Sequence, residues 1–384
     1  MTHKDINECL QAGVPREAVQ ACLESAQDFA PEKVGAAQDF HEQVWREWFG
    51  KDEPEGFLLP FGFPDYRIRY GELSVWAGVK KSGKTTMLDF VLVSLMAQGE
   101  RVFDASLETK VGKSLKKFSR QIGGGLIRDL KHEEKLPDAE EVARYRAESE
   151  GRLRAVEEFW TGKLWVYNHH GICHWRELAD DVRWVRRRYG VRHFKLDNFM
   201  RLGIAKDDYA QQAEAVTFLA NLAMELDIHV YLVCHTGKAE GRRDASGAFE
   251  IGANAHNNIE VQRDLGKADK VGELWAKRRM GGFEGTDKEG KPNLLKFDEE
   301  LRKLNAIPDG KFVLHDQREA EAETQNGSKY LWFHWQSQQF TDVGPSNPLF
   351  GPRDFVAEWR AAVAAAEKER RAEADFYQRE VAEP

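Results

Sequence analysis

Short apolar runs alternate with longer amphipathic stretches between about residues 66 and 342. The apolar runs predict strands at residues 73–77, 101–105, 164–167, 193–196 and 229–234. The amphipathic stretches predict helices over residues 84–98, 174–189 and 209–227. Strands that alternate with helices are typical of an α/β domain with a mostly parallel sheet.

The regions around this pattern differ in composition. Residues 1–50 predict short helices, with apolar positions such as Phe40, Val44 and Trp48 at helical spacing. Residues 51–65 are rich in Pro and Gly and predict a linker. The remaining segments are charged: 131–154 and 284–328 predict surface insertions within the domain at 66–342, and 343–384 predicts a charged helical tail.

The composition excludes several classes of protein. With 384 residues, 41% of them hydrophobic, the chain is long enough to bury a sizeable core. The longest apolar run, residues 87–97, is too short to span a bilayer. A secretory signal would show a basic start followed by an apolar stretch, and this pattern is not seen. Four widely spaced cysteines favour a reducing compartment, so we expect a cytoplasmic protein. Because the net charge is −8, any contact with nucleic acid requires a local basic patch.

The sequence from Gly78 to Thr85 matches the phosphate-binding loop GxxxxGK[ST] at each fixed position. A strand is predicted before it and a helix after it, so backbone N–H groups and the helix N-terminus would face a phosphate. Lys84 would contact the β- and γ-phosphates, and the Thr85 hydroxyl would bind Mg²⁺. The alternative is an ordinary glycine-rich turn with a solvated lysine. The predicted nucleotide-binding residues of this loop are Gly78, Ser82, Gly83, Lys84, Thr85 and Thr86.

Three polar residues follow other predicted strands, at the edge where open α/β sheets bind ligands. Asp197 is placed to hold the metal, and Glu108 is placed to activate the attacking water. His235 is placed to contact the γ-phosphate. Taken singly, Asp197 is better explained as a turn or cap residue, and His235 as a strand-end histidine bonded to backbone.

A series of segments resembles the hexameric replicative helicases of superfamily four, which include phage primase–helicases, Twinkle and DnaB. The segments are GVKKSGKTT, FDASLET, FKLDNFMRL, VYLVCHTGK and LWAKRRMGG, and the resemblance covers about residues 56–342. It implies a RecA-like ATPase core preceded by a small helical region. It also implies a ring-forming DNA helicase that couples Mg²⁺-dependent hydrolysis of ATP or another nucleotide to 5′–3′ translocation in DNA replication, and the phrase LSVWAGVKKSGKTT favours a phage origin.

The same resemblance implies a role for individual residues. Lys84 and Thr85 bind nucleotide and metal, Glu108 is the catalytic base, Asp197 is the metal acid and His235 is the phosphate sensor. Arg279 matches an arginine finger that reaches a neighbouring subunit's nucleotide, and Lys277 matches its companion. The alternative for this KRR segment is a basic turn after an edge strand.

Two further assignments concern the base and the DNA. Trp335 matches, loosely, an aromatic residue that stacks on the nucleotide base, although its aromatic neighbours also fit a buried strand. The loop at 237–258 carries Lys238, Arg242 and Arg243, and in the family the equivalent loop binds single-stranded DNA in a central channel. The alternative is a surface loop with incidental charge.

Two other functions stay open from the sequence. One is a non-unwinding RecA-type DNA-dependent ATPase of recombination or plasmid replication, and the other is a nucleotide-gated oligomeric scaffold. Glu108 argues against the scaffold, which needs no positioned base. The implied partners are single-stranded DNA, further copies of the chain in a hexamer and a separate primase or polymerase, with no membrane. The preferred nucleotide and the roles of the 284–328 segment and the tail stay open.

Overall fold

The computed structural model describes residues 6–24, 36–49, 56–63, 66–127, 138–205, 207–235, 251–252, 254–279, 295–317, 327–334, 336–347 and 351–382. The chain divides into two compact units, Met1–Pro54 and Glu55–Pro384. The first unit is helical, as its pattern predicts. Its helices are α1 (Ile6–Gln11), α2 (Arg16–Glu24) and α3 (His41–Phe49).

The second unit is built on a nine-stranded sheet within the described residues. In sheet order from one edge, the parallel strands are β5 (Leu164–Val166), β4 (Val102–Ser106), β6 (His193–Asp197), β7 (His229–Val233), β3 (Leu73–Ala77) and β8 (Asn257–Arg263). The antiparallel strands β9 (Gly310–Gln317), β10 (Gly327–His334) and β11 (Gln339–Thr341) extend it. A separate ribbon pairs β1 (Phe57–Leu58) with β2 (Arg67–Ile68).

The described helices of the second unit are α4 (Lys84–Ala97), α5 (Val111–Ile122), α6 (Ala139–Trp160), α7 (Trp175–Tyr189), α8 (Tyr209–Leu226), α9 (Leu265–Arg279), α10 (Leu295–Asn305) and α11 (Phe355–Ala382). Six of them contribute to two apolar clusters. One cluster joins α4 to α5, α6 and the start of α11, and the other joins α7 and α8 to the parallel strands. The helix α4 is apolar around nearly its whole circumference because it is buried on nearly every side. The α/β class with a mostly parallel sheet is therefore confirmed.

The predicted strands and helices differ from the observed ones by no more than one residue at either end. No helix in the described part of the chain has the length and apolar character needed to cross a membrane. Cys9, Cys173 and Cys234 are buried free thiols.

The segment at 284–328, expected to be a surface insertion, instead supplies a helix and a strand in its described part. Strand β9 pairs with β8 along seven positions, and Phe312 and Leu314 on it are buried in the core. The pattern misleads because the polar residues Lys311 and His315 alternate with these two on the other face of the strand. The segment at 131–154 likewise enters α6, which buries Val156 and Phe159 just beyond the predicted limit.

Two other stretches expected outside the core contribute to it. In the stretch expected as a linker, Phe57, Leu59, Phe61 and Phe63 are buried. In the expected tail, the first turn of α11 buries Phe355 and Val356, while the helix beyond is largely exposed where its side chains are described. The prolines and glycines of residues 51–65 led to the linker prediction. The apolar residues between them are buried because removing apolar surface from water is favourable.

Two buried histidines lie where β6 and β7 begin. The His229 Nδ1–H donates to the Arg69 carbonyl at 2.5 Å, and its Nε2 lies 2.9 Å from the Ser74 hydroxyl. His193 Nδ1 lies 2.9 Å from the Tyr231 hydroxyl. Burial lowers the pKa of His229 to about 3 and lowers the pKa of His193. Both rings are therefore neutral at pH 7.

We expect acid to destabilise the fold through His229. Its folded-state pKa lies below its unfolded value, so its full contribution is present above pH 6.5 and is lost as the pH falls toward 3. Between pH 7.5 and pH 5 the free energy of unfolding should drop by about 2 kcal/mol from this residue. Urea titrations of the wild type and His229→Gln at both pH values measure it. The variant should be less stable at pH 7.5 but less sensitive to acid, and an equal pH dependence in both would contradict the assignment.

Candidate nucleotide-binding and catalytic site

The phosphate-binding loop joins β3 to α4 and depends on two glycines with positive φ. Gly78 has φ 152° and Gly83 has φ 96°. A Cβ at Gly78 would lie 2.5 Å from the Val261 carbonyl oxygen, which real side chains do not tolerate. The loop therefore needs glycine here for both conformation and space.

The ammonium group of Lys84 is held inside this loop. Its Nζ donates to the carbonyl oxygens of Gly78 at 2.7 Å and Val79 at 2.9 Å. Burial lowers the pKa of Lys84 to about 8, and the negative charge of Asp197 partly opposes this. Lys84 is thus mainly charged at pH 7, which suits a phosphate ligand.

The strand end and the loop meet at Asp197. The Thr85 hydroxyl donates to Asp197 Oδ2 at 2.7 Å, although 112 residues separate them in sequence. This pair offers two adjacent oxygen atoms, and Mg²⁺ prefers oxygen ligands. No group of three or more His, Cys, Asp or Glu residues in the described part could hold a metal by itself. The donor set therefore fits a Mg²⁺ ion that takes its remaining ligands from water and phosphate.

Glu108 lies just beyond β4 at the same sheet edge. Its Oε1 accepts a hydrogen bond from Asn198 Nδ2 at 2.8 Å and lies 3.6 Å from Arg201 Nε. Glu108 is predicted from the sequence, whereas Asn198 and Arg201 are not. Asn198 follows Asp197 directly and Arg201 lies four residues after it, so the strand end that carries the metal acid also fixes the carboxylate of the proposed base.

A buried lysine that is not predicted as a site residue, Lys195, lies next to Asp197. Lys195 Nζ contacts Asp89 on α4 at 2.5 Å, Asp104 on β4 at 2.8 Å and Asp197 at 3.9 Å. Its side chain is fully buried. One signal was available, because a lysine between Phe194 and Leu196 shares a strand face with Asp197.

The pKa values in this lysine cluster reflect competition between burial and charge. Burial raises the pKa of Asp89 to about 6, against the attraction of Lys195. Burial also acts on Asp104, but the Lys195 ammonium and hydrogen bonds from Lys195, Ser114 and Ser106 hold its pKa below the usual value. Burial lowers the pKa of Lys195, but the surrounding carboxylates outweigh it and the net shift is upward. Lys195 is therefore charged at pH 7.

A cavity of about 350 Å³ opens beside the loop. The predicted residues Ser82, Gly83, Lys84, Thr85, Thr86 and His235 line it. Burial, followed by the charge of Lys84, lowers the pKa of His235, so this ring is neutral at pH 7. Other lining residues come from β8 and from the antiparallel part of the sheet, and they include Arg263, Asp309, Phe333 and Phe340.

The aromatic wall differs from the prediction. Trp335 lies outside the described residues, whereas Phe333 and Phe340 line the cavity with ring centroids 4.9 Å apart. The Phe340 ring tip lies 3.8 Å from the Cβ position at Gly83. These two rings are the described candidates for stacking on a nucleotide base.

The remaining predicted residues lie away from the cavity or outside the described residues. Lys277 and Arg279 belong to the last turn of α9, so the alternative of a basic turn after an edge strand is wrong. Lys277 does not line the cavity. Lys238, Arg242 and Arg243 fall outside the described residues, as does the side chain of Arg279.

Replacing Lys195 by Met should destabilise the fold by about 3–5 kcal/mol, because Asp89 and Asp104 would stay buried without a counter-charge. The triple variant Lys195→Met/Asp89→Asn/Asp104→Asn also removes the two carboxylate charges that Lys195 neutralises. Most of the lost stability should therefore be recovered. Urea unfolding of the wild type and both variants measures this. A single variant as stable as the wild type would show that Lys195 does not hold the carboxylates.

Comparisons with known proteins agree with this architecture. Residues 65–241 match the family model described as an AAA domain. One solved structure, the ATPase domain of another protein, is similar in fold, with a TM-score of 0.58 and 14% identity over 81% of this chain and 99% of that one. A DnaB-like replicative helicase, described with its interactions with primase, gives a TM-score of 0.55 and 17% identity over 88% and 72% of the two chains. No curated protein sequence matches the chain.

The RecA-like ATPase fold that the resemblance implies is thus confirmed. The chain has the RecA-like fold of the ATPase domains of DnaB-like replicative helicases, with a match to an AAA domain over residues 65–241.

Proposed function

We propose that the protein is a ring-forming DNA helicase, which hydrolyses a nucleoside triphosphate with Mg²⁺ and moves 5′–3′ along single-stranded DNA during replication. The observation that carries the proposal is the hydrogen bond of 2.7 Å between Thr85 and Asp197, beside the loop lysine. It joins the two elements that a Mg-nucleotide site requires, the phosphate loop and an acidic strand end.

The side chains divide the chemistry of hydrolysis among them. Lys84 neutralises the β- and γ-phosphates, and Thr85 with Asp197 holds the metal, which withdraws charge from the phosphates when bound. Glu108 accepts a proton from the attacking water, and Asn198 fixes the orientation of its carboxylate. His235 has a neutral ring at the cavity wall and donates a hydrogen bond to the γ-phosphate.

The ring is the part of the proposal that comes from the family. The similarity to a DnaB-like replicative helicase supports an oligomer, in which Arg279 and Lys277 of one subunit reach the nucleotide of the next. In our proposal six copies assemble, and Lys238, Arg242 and Arg243 of each copy hold the DNA strand. A cytoplasmic location, a phage origin and a separate primase or polymerase partner complete the proposal.

The anchored Glu108 separates the proposal from one of its alternatives. A nucleotide-gated scaffold needs no positioned base, yet Glu108 accepts a hydrogen bond from Asn198 at the sheet edge that carries Asp197. The other alternative, a DNA-dependent ATPase that does not unwind, uses the same chemistry. Only strand displacement distinguishes that enzyme from a helicase.

The test is nucleotide hydrolysis with and without single-stranded DNA, on protein sized by light scattering. We expect turnover that DNA stimulates, from a particle of about six subunits, and unwinding of forks that carry a 5′ tail. Lys84→Ala should reduce hydrolysis by at least about a thousandfold, because Lys84 is the cation that the loop carbonyls of Gly78 and Val79 hold in place for the phosphates. Lys80→Ala, in the same loop, is the matched control and should retain most activity.

Each outcome of this experiment has a separate meaning. Turnover indifferent to DNA from a stable monomer would contradict the helicase. DNA-stimulated turnover without unwinding would favour the non-unwinding ATPase. Full hydrolysis by Lys84→Ala would place the catalytic site elsewhere.

A further inference from the structure

Four arginines at the amino edge of the sheet have no carboxylate partner among the described residues. Arg186, Arg187 and Arg188 occupy the last turn of α7, and Arg101 precedes β4. Arg101 Nη1 donates to the Tyr189 carbonyl oxygen at 2.6 Å, which brings the strand and the helix end to one surface. We name these four residues, together with Trp184 and Tyr189, the arginine surface.

The other arginines of α7 are paired with carboxylates. Arg176 contacts Glu214 at 2.5 Å, and Arg183 contacts Asp180 and Glu225 at 3.2 and 3.3 Å. In the arginine surface, by contrast, Arg186 and Arg187 donate only to backbone carbonyls, those of Leu226 and Arg183. Their charges remain available to a ligand.

Nearby acidic groups do not cancel this charge, because they have partners of their own. Asp227 pairs with Arg192, and Glu100 accepts a hydrogen bond from the Tyr70 hydroxyl at 2.7 Å. Arg192 also lies close enough to Arg186 for the two cations to repel. The arginine surface therefore carries excess positive charge on a chain whose net charge is −8.

An exposed aromatic ring lies among these arginines. Trp184 is 52% exposed and makes an edge contact with Tyr189, with ring centroids 5.3 Å apart. Tyr189 stacks on Trp165 at 5.2 Å, and the Arg188 guanidinium lies 5.8 Å from the Tyr189 ring. The stack supports Trp184 from one side and leaves half of its surface free.

The end of a helix does not by itself explain this arrangement. A helix C-terminus stabilises a nearby cation by about 0.3–1 kcal/mol, which accounts for arginines in the last turn of α7. It does not account for Arg101, which arrives from a different element, or for the exposed tryptophan. These two features indicate a ligand with both negative charge and flat apolar groups.

We propose that the arginine surface binds single-stranded nucleic acid. A guanidinium group can donate two parallel hydrogen bonds to the oxygens of one phosphate, and an exposed indole stacks on an unpaired base. A duplex hides its bases, and an acidic peptide offers carboxylates without rings. A single strand is the ligand class that satisfies both kinds of side chain.

This surface is distinct from the nucleotide cavity. It lies where β4 and β6 begin, whereas Glu108 and Asp197 lie where these strands end. Five residues at about 3.3 Å each separate the two edges by roughly 15 Å. Its residues also differ from Lys238, Arg242 and Arg243, so nucleic acid bound here would be a second contact.

The test measures fluorescence anisotropy of a labelled strand of about 30 thymidines, long enough to cover more than one site. The background is the full chain carrying Lys238→Ala/Arg242→Ala/Arg243→Ala, which removes the proposed loop contact. Added to it, Trp184→Ala should weaken binding at least about fivefold. Arg187→Ala/Arg188→Ala should weaken binding similarly and lower the salt slope by about 1.4.

Arg176→Ala/Arg183→Ala is the matched control, because it removes the same charge from the same helix but from ion pairs. We expect it to leave the affinity nearly unchanged. Equal losses in control and test variants, unchanged binding in the test variants, or tighter binding of a duplex or a polyglutamate peptide would each overturn the proposal. Hydrolysis without DNA should not change in the test variants, so this experiment fails or succeeds independently of the helicase assignment.

Discussion

The hydrogen bond between Thr85 and Asp197 is the contact on which the rest of the site depends. It spans 2.7 Å between the start of α4, the helix that follows β3, and the end of β6. In the sheet, β7 lies between β3 and β6. Only a sheet whose parallel strands end at one edge brings the loop, the acid and Glu108 together. The sheet thus positions the side-chain oxygen and nitrogen atoms of the loop, Asp197 and Glu108 at one site.

The buried charges below this contact restrict how Asp197 can move. Lys195 joins Asp89 on α4 and Asp104 on β4 to the strand that carries Asp197. Buried ion pairs are often no more stabilising than apolar residues of the same size, so stability alone does not explain them. A charged group that contacts three elements does fix their relative positions. We therefore regard the cluster as the rigid support of the metal-binding acid.

The sequence predicts the parallel half of the sheet well because each strand there is a continuous apolar run with a helix after it. Its site residues Lys84, Thr85, Glu108 and Asp197 follow strands, so their shared edge follows from topology. The antiparallel half was missed because β9 alternates buried and exposed positions within a charged segment. Partners distant in the chain were missed for a related reason: Lys195 and Asp89 are 106 residues apart, and only the fold brings them together. The cavity's Phe333 and Phe340 likewise depend on how β10 pairs with β11.

The most direct test of this account is a double-mutant cycle between Thr85 and Asp197, read out as the affinity for Mg-nucleotide. The variants are Thr85→Val, Asp197→Asn and the two combined, at fixed Mg²⁺ concentration. If the two side chains act as one metal-binding pair, the losses should overlap, with a coupling energy of about 1–2 kcal/mol. Losses that add to within about 0.5 kcal/mol would contradict the account, because they would show that the hydroxyl and the carboxylate act independently.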